Sequence, residues 1–299
     1  MRRLERQVGC TLFAPDSRVL RLTDDGLAVV RAAAAVVSAT ARFSASVRSI
    51  NGVLRVAHAS SVDTVSVLLD RYVERHPDVA VEEQILPCDA QMAALREREI
   101  DIAVCRLAGT APSDCEVELL RLDPLLAAVS DGAGPPPISI DPARTPTLVG
   151  ETGGAWAARD QLIASYERAA GCVLNRVRVL TAAGQHVAAL ERTHAPAVLM
   201  LSSSTILPAH RRLAGLVPLQ PYFPWSLVWP TDSTAAVTAF VDVARAVSAE
   251  NGWLATDKLP GRPWLPENDF HRRHLAVGLP HDGPASADIG EIRFLTAGS

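Results

Sequence analysis

Paired cysteines, lysine and long apolar runs are what this 299-residue chain has least of. Its five cysteines, Cys10, Cys88, Cys105, Cys115 and Cys172, are odd in number, and no two stand in a CxxC pair. That pattern is neither a disulfide framework nor a zinc-ligand spacing. Lys258 is the only lysine against 28 arginines, a bias of coding composition from which no function follows. The most apolar windows, Leu27–Val37 and Ala195–Leu201, are interrupted by Arg, Ser or Pro. Both are shorter than the ~20 residues a membrane span needs, so no transmembrane helix is expected. Arg2 and Arg3 are followed by Glu5, Arg6 and Gln7, where a signal peptide would place its apolar run, and the expected compartment is the cytoplasm. Catalytic signatures are missing too: there is no GxSxG elbow, Walker loop or HExxH, and GETGG at Gly150–Gly154 lacks the spacing of a dinucleotide fingerprint.

What is present is an ordinary globular composition, 48% hydrophobic and 21% charged, in a chain long enough for two or three compact units. Charge is unevenly distributed. The first fifty residues hold eight arginines and four acids, while the whole chain carries a formal −4. A basic head on an acidic body points to a polyanion at the N-terminus, or to a solvated arginine face.

The head reads as a helix end over Met1–Gln7 with Gly9 past it, then two short strands, Thr11–Phe13 and Arg18–Leu22, joined by the turn-forming Ala14–Ser17. Thr23-Asp24-Asp25 is a hydroxyl cap with acids behind it, and it opens a long helix reaching about Ile50. Leu27, Val30, Ala34, Val37 and Ala41 recur at steps of three and four along it. This is the seam of a helix that pairs with a copy of itself or packs on its own body; pairing is the expectation.

From Gly52 strands and helices alternate: Val53–Ala57, Asp63–His76, Val79–Leu86, Ala90–Arg98 and Asp101–Cys105, then Leu125–Ser130, Thr147–Gly150, Ala157–Ala170, Arg176–Thr181, Gln185–Arg192 and Ala197–Leu201. Such βαβ repetition predicts two α/β units built on parallel sheet. Leu216–Gln220 and Leu227–Trp229 follow as strands and Thr234–Asn251 as a closing helix that returns to the first unit. Leu259–Ser299 is rich in Pro, Gly, Asp and His without a period of its own.

Gathered together, RRLERQVGCTLF, Arg18, Arg21 and LTDDG, then GVLRVA at Gly52–Ala57, RHPDVAVE at Arg75–Glu82 and REIDIAV at Arg98–Val104 resemble the LysR-type transcriptional regulators over about residues 1–250. The resemblance implies a partial winged helix-turn-helix over 1–22, whose first helices would precede Met1, and a linker and dimerisation helix over 23–51. It also implies an effector-binding domain over 52–251, like a type 2 periplasmic binding protein, with subdomain I at about 52–123 and 230–251 and subdomain II at about 124–229. Residues 252–299 remain as an irregular or disordered extension. The function implied is binding of promoter DNA and sensing of a small effector, as a homodimer or homotetramer, without catalysis, cofactor or membrane. Two departures stand out: Pro15 replaces an arginine usual after the LF pair, and Met200-Leu201-Ser202 replaces an expected Leu-Pro.

Carried over residue by residue, Arg2, Arg3, Arg6, Arg18 and Arg21 are DNA-backbone contacts. Ligand-binding positions fall at strand carboxyl ends between the units: Ser60 and Ser61, Arg106, Thr152 and Gly153, and Ser202. Hydroxyls, main-chain N–H groups and one guanidinium suit a small carboxylate or similar polar metabolite. His271 and His274, at i and i+3, are a metal pair or part of a solvated tail. A second reading stays open, in which the chain is a ligand-binding or dominant-negative dimerising module without DNA binding of its own.

Overall fold

The computed structural model describes residues 2–14, 21–50, 52–59, 63–107, 112–130, 137–151, 157–178, 195–201 and 210–278, without side chains at 2, 3, 37–39, 41–50, 63, 151, 178 and 276–278. Helix α1 spans Arg2–Val8 and stops at Gly9, whose φ of 77° is open to glycine at little cost. The Glu5 carboxylate accepts the main-chain N–H of Leu12 at 2.8 Å, tying the helix to the segment after it. Of the predicted hairpin, the described part is an antiparallel bridge between Phe13 and Leu22. Thr23 then caps α2 (Asp24–Ile50), its Oγ1 accepting from Gly26 N at 2.9 Å. A Cβ on Gly26 would meet the Leu12 carbonyl oxygen at 2.2 Å, so only glycine lets α2 start against that chain. The 27 residues of α2 make a rod about 40 Å long.

The first half of the main body is built on parallel strands β1 (Val53–His58), β2 (Ala80–Ile85) and β3 (Ile102–Cys105), with α3 (Asp63–Arg75) and α4 (Cys88–Arg96) as crossovers. Leu54 and Val56 point into a core shared with α3, whereas Ala57, Ala103 and Cys105 meet Leu95 of α4, so both faces of β1 are covered. Arg55 is buried on this sheet and clamped by Asp101, Nε to Oδ2 at 3.0 Å and Nη2 to Oδ1 at 2.6 Å.

Two long strands carry the chain between halves. Cys115–Ser130 is one continuous strand, β4, which pairs antiparallel with β10 (Leu219–Pro230) as far as Pro124 and with β8 and β9 from Leu125 onward. The second half adds β5 (Ser139–Ile140), β6 (Leu148–Glu151), α5 (Ala157–Ala170), β7 (Asn175–Arg178), β8 (Ala197–Met200) and β9 (Arg211–Leu216). The backbone of the sheet runs β2-β1-β3-β10-β4-β8-β6-β7. Sequence patterning starts β4 only at Leu125 and divides β9–β10 differently, because Asp123-Pro124 and Pro221, Pro224 and Pro230 read as strand breakers. Here Asp123 is buried and accepts the Trp225 indole N–H at 3.2 Å. Gln220, also buried, donates to Leu125 O at 2.8 Å and accepts from Leu216 N at 2.9 Å, fixing β9, β10 and β4 where they meet.

Helix α6 (Ala235–Glu250), capped by Thr234, returns to the first half. Phe240 packs on Tyr72 of α3 with ring centroids 5.3 Å apart, and Tyr72 donates to Ala236 O at 3.2 Å. Burial of Phe240, Val241 and Val247 contributes on the order of 2 kcal/mol each. The Gln185–Arg192 helix expected from the sequence lies outside the described residues.

The described part of the extension, 252–278, is irregular in outline yet packed. β11 (Arg262–Trp264) joins β10 in parallel, and a 3-10 turn follows over Arg272–Gly278. Leu265 is 1% exposed against Leu119, Leu122 and Tyr222. The irregular extension expected over 252–299 is, in this part, packed on the body.

Candidate functional site

Strand pairing fixes which ends meet. β3 is antiparallel to β10 and β10 to β4, so β4 leaves the first half heading the same way as β3. In the second half β8 runs against β4, and β6 runs with β8, so both point back. The carboxyl ends of β1 and β3 therefore face those of β6 and β8 across the two crossing strands, the place where α/β sheets bind ligands.

Of the six positions expected to bind a ligand, Ser60, Ser61, Thr152, Gly153 and Ser202 lie outside the described residues. They follow segments described as far as Ala59, just past β1, Glu151, at the end of β6, and Leu201, just past β8. Arg106 is described and stands immediately after β3. It is 7% exposed and already engaged: Nη2 donates to Asp269 Oδ2 at 2.6 Å and Nη1 to Ala158 O, at the start of α5, at 3.3 Å. Its Nε is buried, without a partner among the described residues. The fork of the guanidinium is thus only partly used.

Around it the segment after β11 closes in. Asp269 Oδ1 accepts the main-chain N–H of His271 at 3.0 Å. His271 Nε2 shares a hydrogen bond of 2.7 Å with Ser226 Oγ of β10, both residues buried. Burial pushes the His271 imidazole down to about 4, against the raising effect of Asp269, so the ring is neutral at pH 7. Among the described residues its Nδ1 has no hydrogen-bond partner, so none of them serves the Ser226–His271 pair as the orienting acid of a hydrolytic triad. His271 is therefore not part of a solvated tail, and His274 lies exposed with its ring 5.6 Å away. Among the described residues no three His, Cys, Asp or Glu side chains converge as metal ligands.

A cavity of about 90 Å³ remains, lined by Arg106, Gln161, Ser165, Pro266 and Asn268 among others. Ligand pockets are usually several hundred Å³; this smaller cavity lies beside the buried pair of Arg106 and Asp269. A larger apolar groove of about 200 Å³, between α6 and β4 and including Leu120, Ala244 and Leu254, holds none of the groups that surround Arg106.

Two further clusters were not legible in the sequence. Arg121, on β4 where it crosses, donates to Thr64 Oγ1 at 2.8 Å and lies 5.1 Å over the Trp253 ring. Cys88, at the start of α4, packs against the cluster that holds Cys105, at the end of β3, close enough for the two thiols to influence each other. Interaction with Cys105 lowers the Cys88 thiol, with burial opposing and the Arg106 main chain assisting, while interaction with Cys88 and burial push Cys105 well up.

At the N-terminal end, α1 carries Arg2, Arg3 and Arg6. Arg6 and Arg21 are exposed, Arg18 lies outside the described residues, and so do the side chains of Arg2 and Arg3. On α2, Leu27 is 44% and Val30 49% exposed, and Ala34 is exposed as well; the side chains of Val37 and Ala41 lie outside the description. No described helix is long and apolar enough to cross a membrane.

Comparison with known proteins gives a match to the family model described as LysR substrate binding domain over residues 48–249. Among solved structures, full-length CbnR complexed with its target DNA is 20% identical, covering 82% of this chain and 87% of that one with a TM-score of 0.56. The BenM effector-binding domain with its effector benzoate is 15% identical, covering 69% and 96%, TM-score 0.58. A full-length OxyR variant from Pseudomonas aeruginosa is 17% identical, covering 82% and 83%, TM-score 0.56. At these identities the likeness is one of fold, the two-part α/β architecture like a type 2 periplasmic binding protein. No curated protein matches the chain by sequence.

Proposed function

The chain belongs to the LysR substrate-binding-domain family, and from that premise we propose that it is a LysR-type transcriptional regulator, sensing a small carboxylate between its two α/β halves. The observation that carries this reading is the buried Arg106 guanidinium directly after β3, bonded to Ala158 O at the start of α5, on the side toward which the carboxyl ends of β1, β3, β6 and β8 point. A guanidinium in a low-dielectric cleft recognises a carboxylate through paired N–H donors. Ser60, Ser61, Thr152, Gly153 and Ser202, next to the other strand ends, would supply hydroxyls and main-chain N–H groups.

In this reading α2 pairs with a copy of itself through Leu27, Val30, Ala34, Val37 and Ala41, giving a homodimer or a tetramer of two dimers. Arg2, Arg3, Arg6, Arg18 and Arg21 face the DNA backbone. The work is binding and coupling rather than catalysis, without a cofactor, and its place is the cytoplasm.

A thermal-shift series with benzoate and other small carboxylates, alongside neutral isosteres such as benzamide, tests the effector class. Stabilisation by the acids and not by the amides is expected; equal responses sink the assignment. Gel-shift titration with the DNA flanking the chain's own coding sequence separates a regulator from a dimerising module without DNA binding. Retention of specific DNA supports the first, and dimers with no DNA affinity the second.

A further inference from the structure

Residues 262–278 lie beyond the span the family model matches, yet they are fastened across the junction of the two halves. β11 pairs with β10, and Arg262 N donates to Pro218 O at 3.0 Å. Next to it Gly261 passes so close that a Cβ there would meet Leu216 O at 2.0 Å. Trp264 stands edge-on to Tyr166 of α5, centroids 5.7 Å apart. Asp269 then reaches the end of β3, where its carboxylate is 1% exposed and ion-paired with Arg106.

We propose that residues 262–278 are an intrachain strap whose Asp269 carboxylate stands at Arg106 in the place of a ligand's, so that an anionic effector must compete with it. The inference rests on the effector reading above for what does the competing. Asp269 touches the guanidinium with one oxygen only, because its other oxygen accepts the His271 N–H. Among the described residues, Nε of Arg106 has no partner in the interior. A free carboxylate has both oxygens available and can bond Nε and Nη2 side by side, a geometry stronger and more directional than the single contact it would replace. Neither partner of a buried ion pair can be left alone cheaply, so release of the strap is coupled to arrival of another anion. Asp269 thereby sets specificity: a neutral analogue cannot replace it. Pro266, Asn268 and Asp269 of the strap line the cavity of about 90 Å³ beside Arg106, so release of the strap widens it.

Hydrogen exchange of the full chain, read by mass spectrometry over 262–278, tests this with D269N, and with the unaltered chain under benzoate titration. Exchange over 262–278 is expected to quicken at least tenfold in D269N, with α3 and α6 unchanged, and to quicken likewise in the unaltered chain at saturating benzoate. Benzoate is expected to bind D269N at least tenfold more tightly. Unchanged exchange in D269N overturns the strap. Benzoate that stabilises the unaltered chain but leaves 262–278 slow overturns the competition while the effector reading stands. Faster exchange in D269N with no carboxylate bound by either chain sinks the effector reading and leaves the strap supported.

Discussion

Ser226 Oγ lies 2.7 Å from His271 Nε2, joining the strand that crosses between the halves to the segment folded over it. Because burial holds the His271 imidazole at about 4, against about 6.5 in an unfolded chain, the contact carries a pH dependence whose sign is fixed. Above pH 6.5 the ring is neutral in both states. As pH falls from 6.5 to 4 the unfolded chain takes up a proton that the folded chain refuses, so stability is lost over that window and no further below it. The full loss is at most about 3.5 kcal/mol, since a tenfold difference in proton affinity is worth about 1.4 kcal/mol. Urea unfolding at pH 7 and pH 4.5 is expected to show a smaller loss for H271Q than for the unaltered chain. Identical losses would show that the ring is protonated in the fold.

Arg55 makes a second relationship of this kind, with a different consequence. Its guanidinium is 4% exposed, and it donates two bonds to the Asp101 carboxylate and two more to the carbonyls of Arg98 and Glu99. Asp101 also accepts Arg55 N at 2.8 Å. Removing the carboxylate strands a buried charge, which costs about 3–5 kcal/mol. D101A is expected to lose that much in urea unfolding at pH 7, and a loss under about 1 kcal/mol would mean that water reaches Arg55.

These two pairs mark the limit of what the sequence reveals. Where an element is decided by its own residues, reading succeeds: α5 is expected over Ala157–Ala170 and found there, and the closing helix expected over Thr234–Asn251 is found as α6, with Thr234 as its cap. The end of β3 falls at Cys105 as expected, and with it the position of Arg106, while β1 and β6 end one residue later than their local patterns suggest. What long-range pairing decides is invisible locally. Asp123-Pro124 looks like a break until Trp225 is placed beside it. Asp269 and His271 sit in a stretch without periodicity, and nothing short of the fold brings them to Arg106 and Ser226.

The helix α2 offers the next measurement. Leu27 and Val30 stand 44% and 49% exposed on it, and a seam of this kind gains its stability from a facing helix. Placing aspartates at Val30 and Val37 puts like charges into the seam of both partners while leaving the body untouched. Light scattering is expected to move from dimer or tetramer to monomer, with the far-ultraviolet circular dichroism of the α/β body retained. An unchanged mass for the double variant would show that assembly runs through another face.

DNA contact can be weighed at Arg21, which is exposed at the bridge that joins Phe13 to Leu22. A side chain that neutralises one phosphate releases about one condensed counterion, so the slope of log K against log salt changes by about 1 when it is removed, whatever the DNA sequence. A side chain that reads a base edge behaves differently: its loss weakens one sequence by about 1–3 kcal/mol and leaves the slope nearly as it was. Titrations of R21A at three salt concentrations, on specific and scrambled duplexes, separate these outcomes. The expectation is a uniform weakening with a shallower slope. An unchanged slope on both duplexes places Arg21 off the backbone and removes it from the proposed interface, leaving Arg6 as the remaining arginine there whose side chain is described.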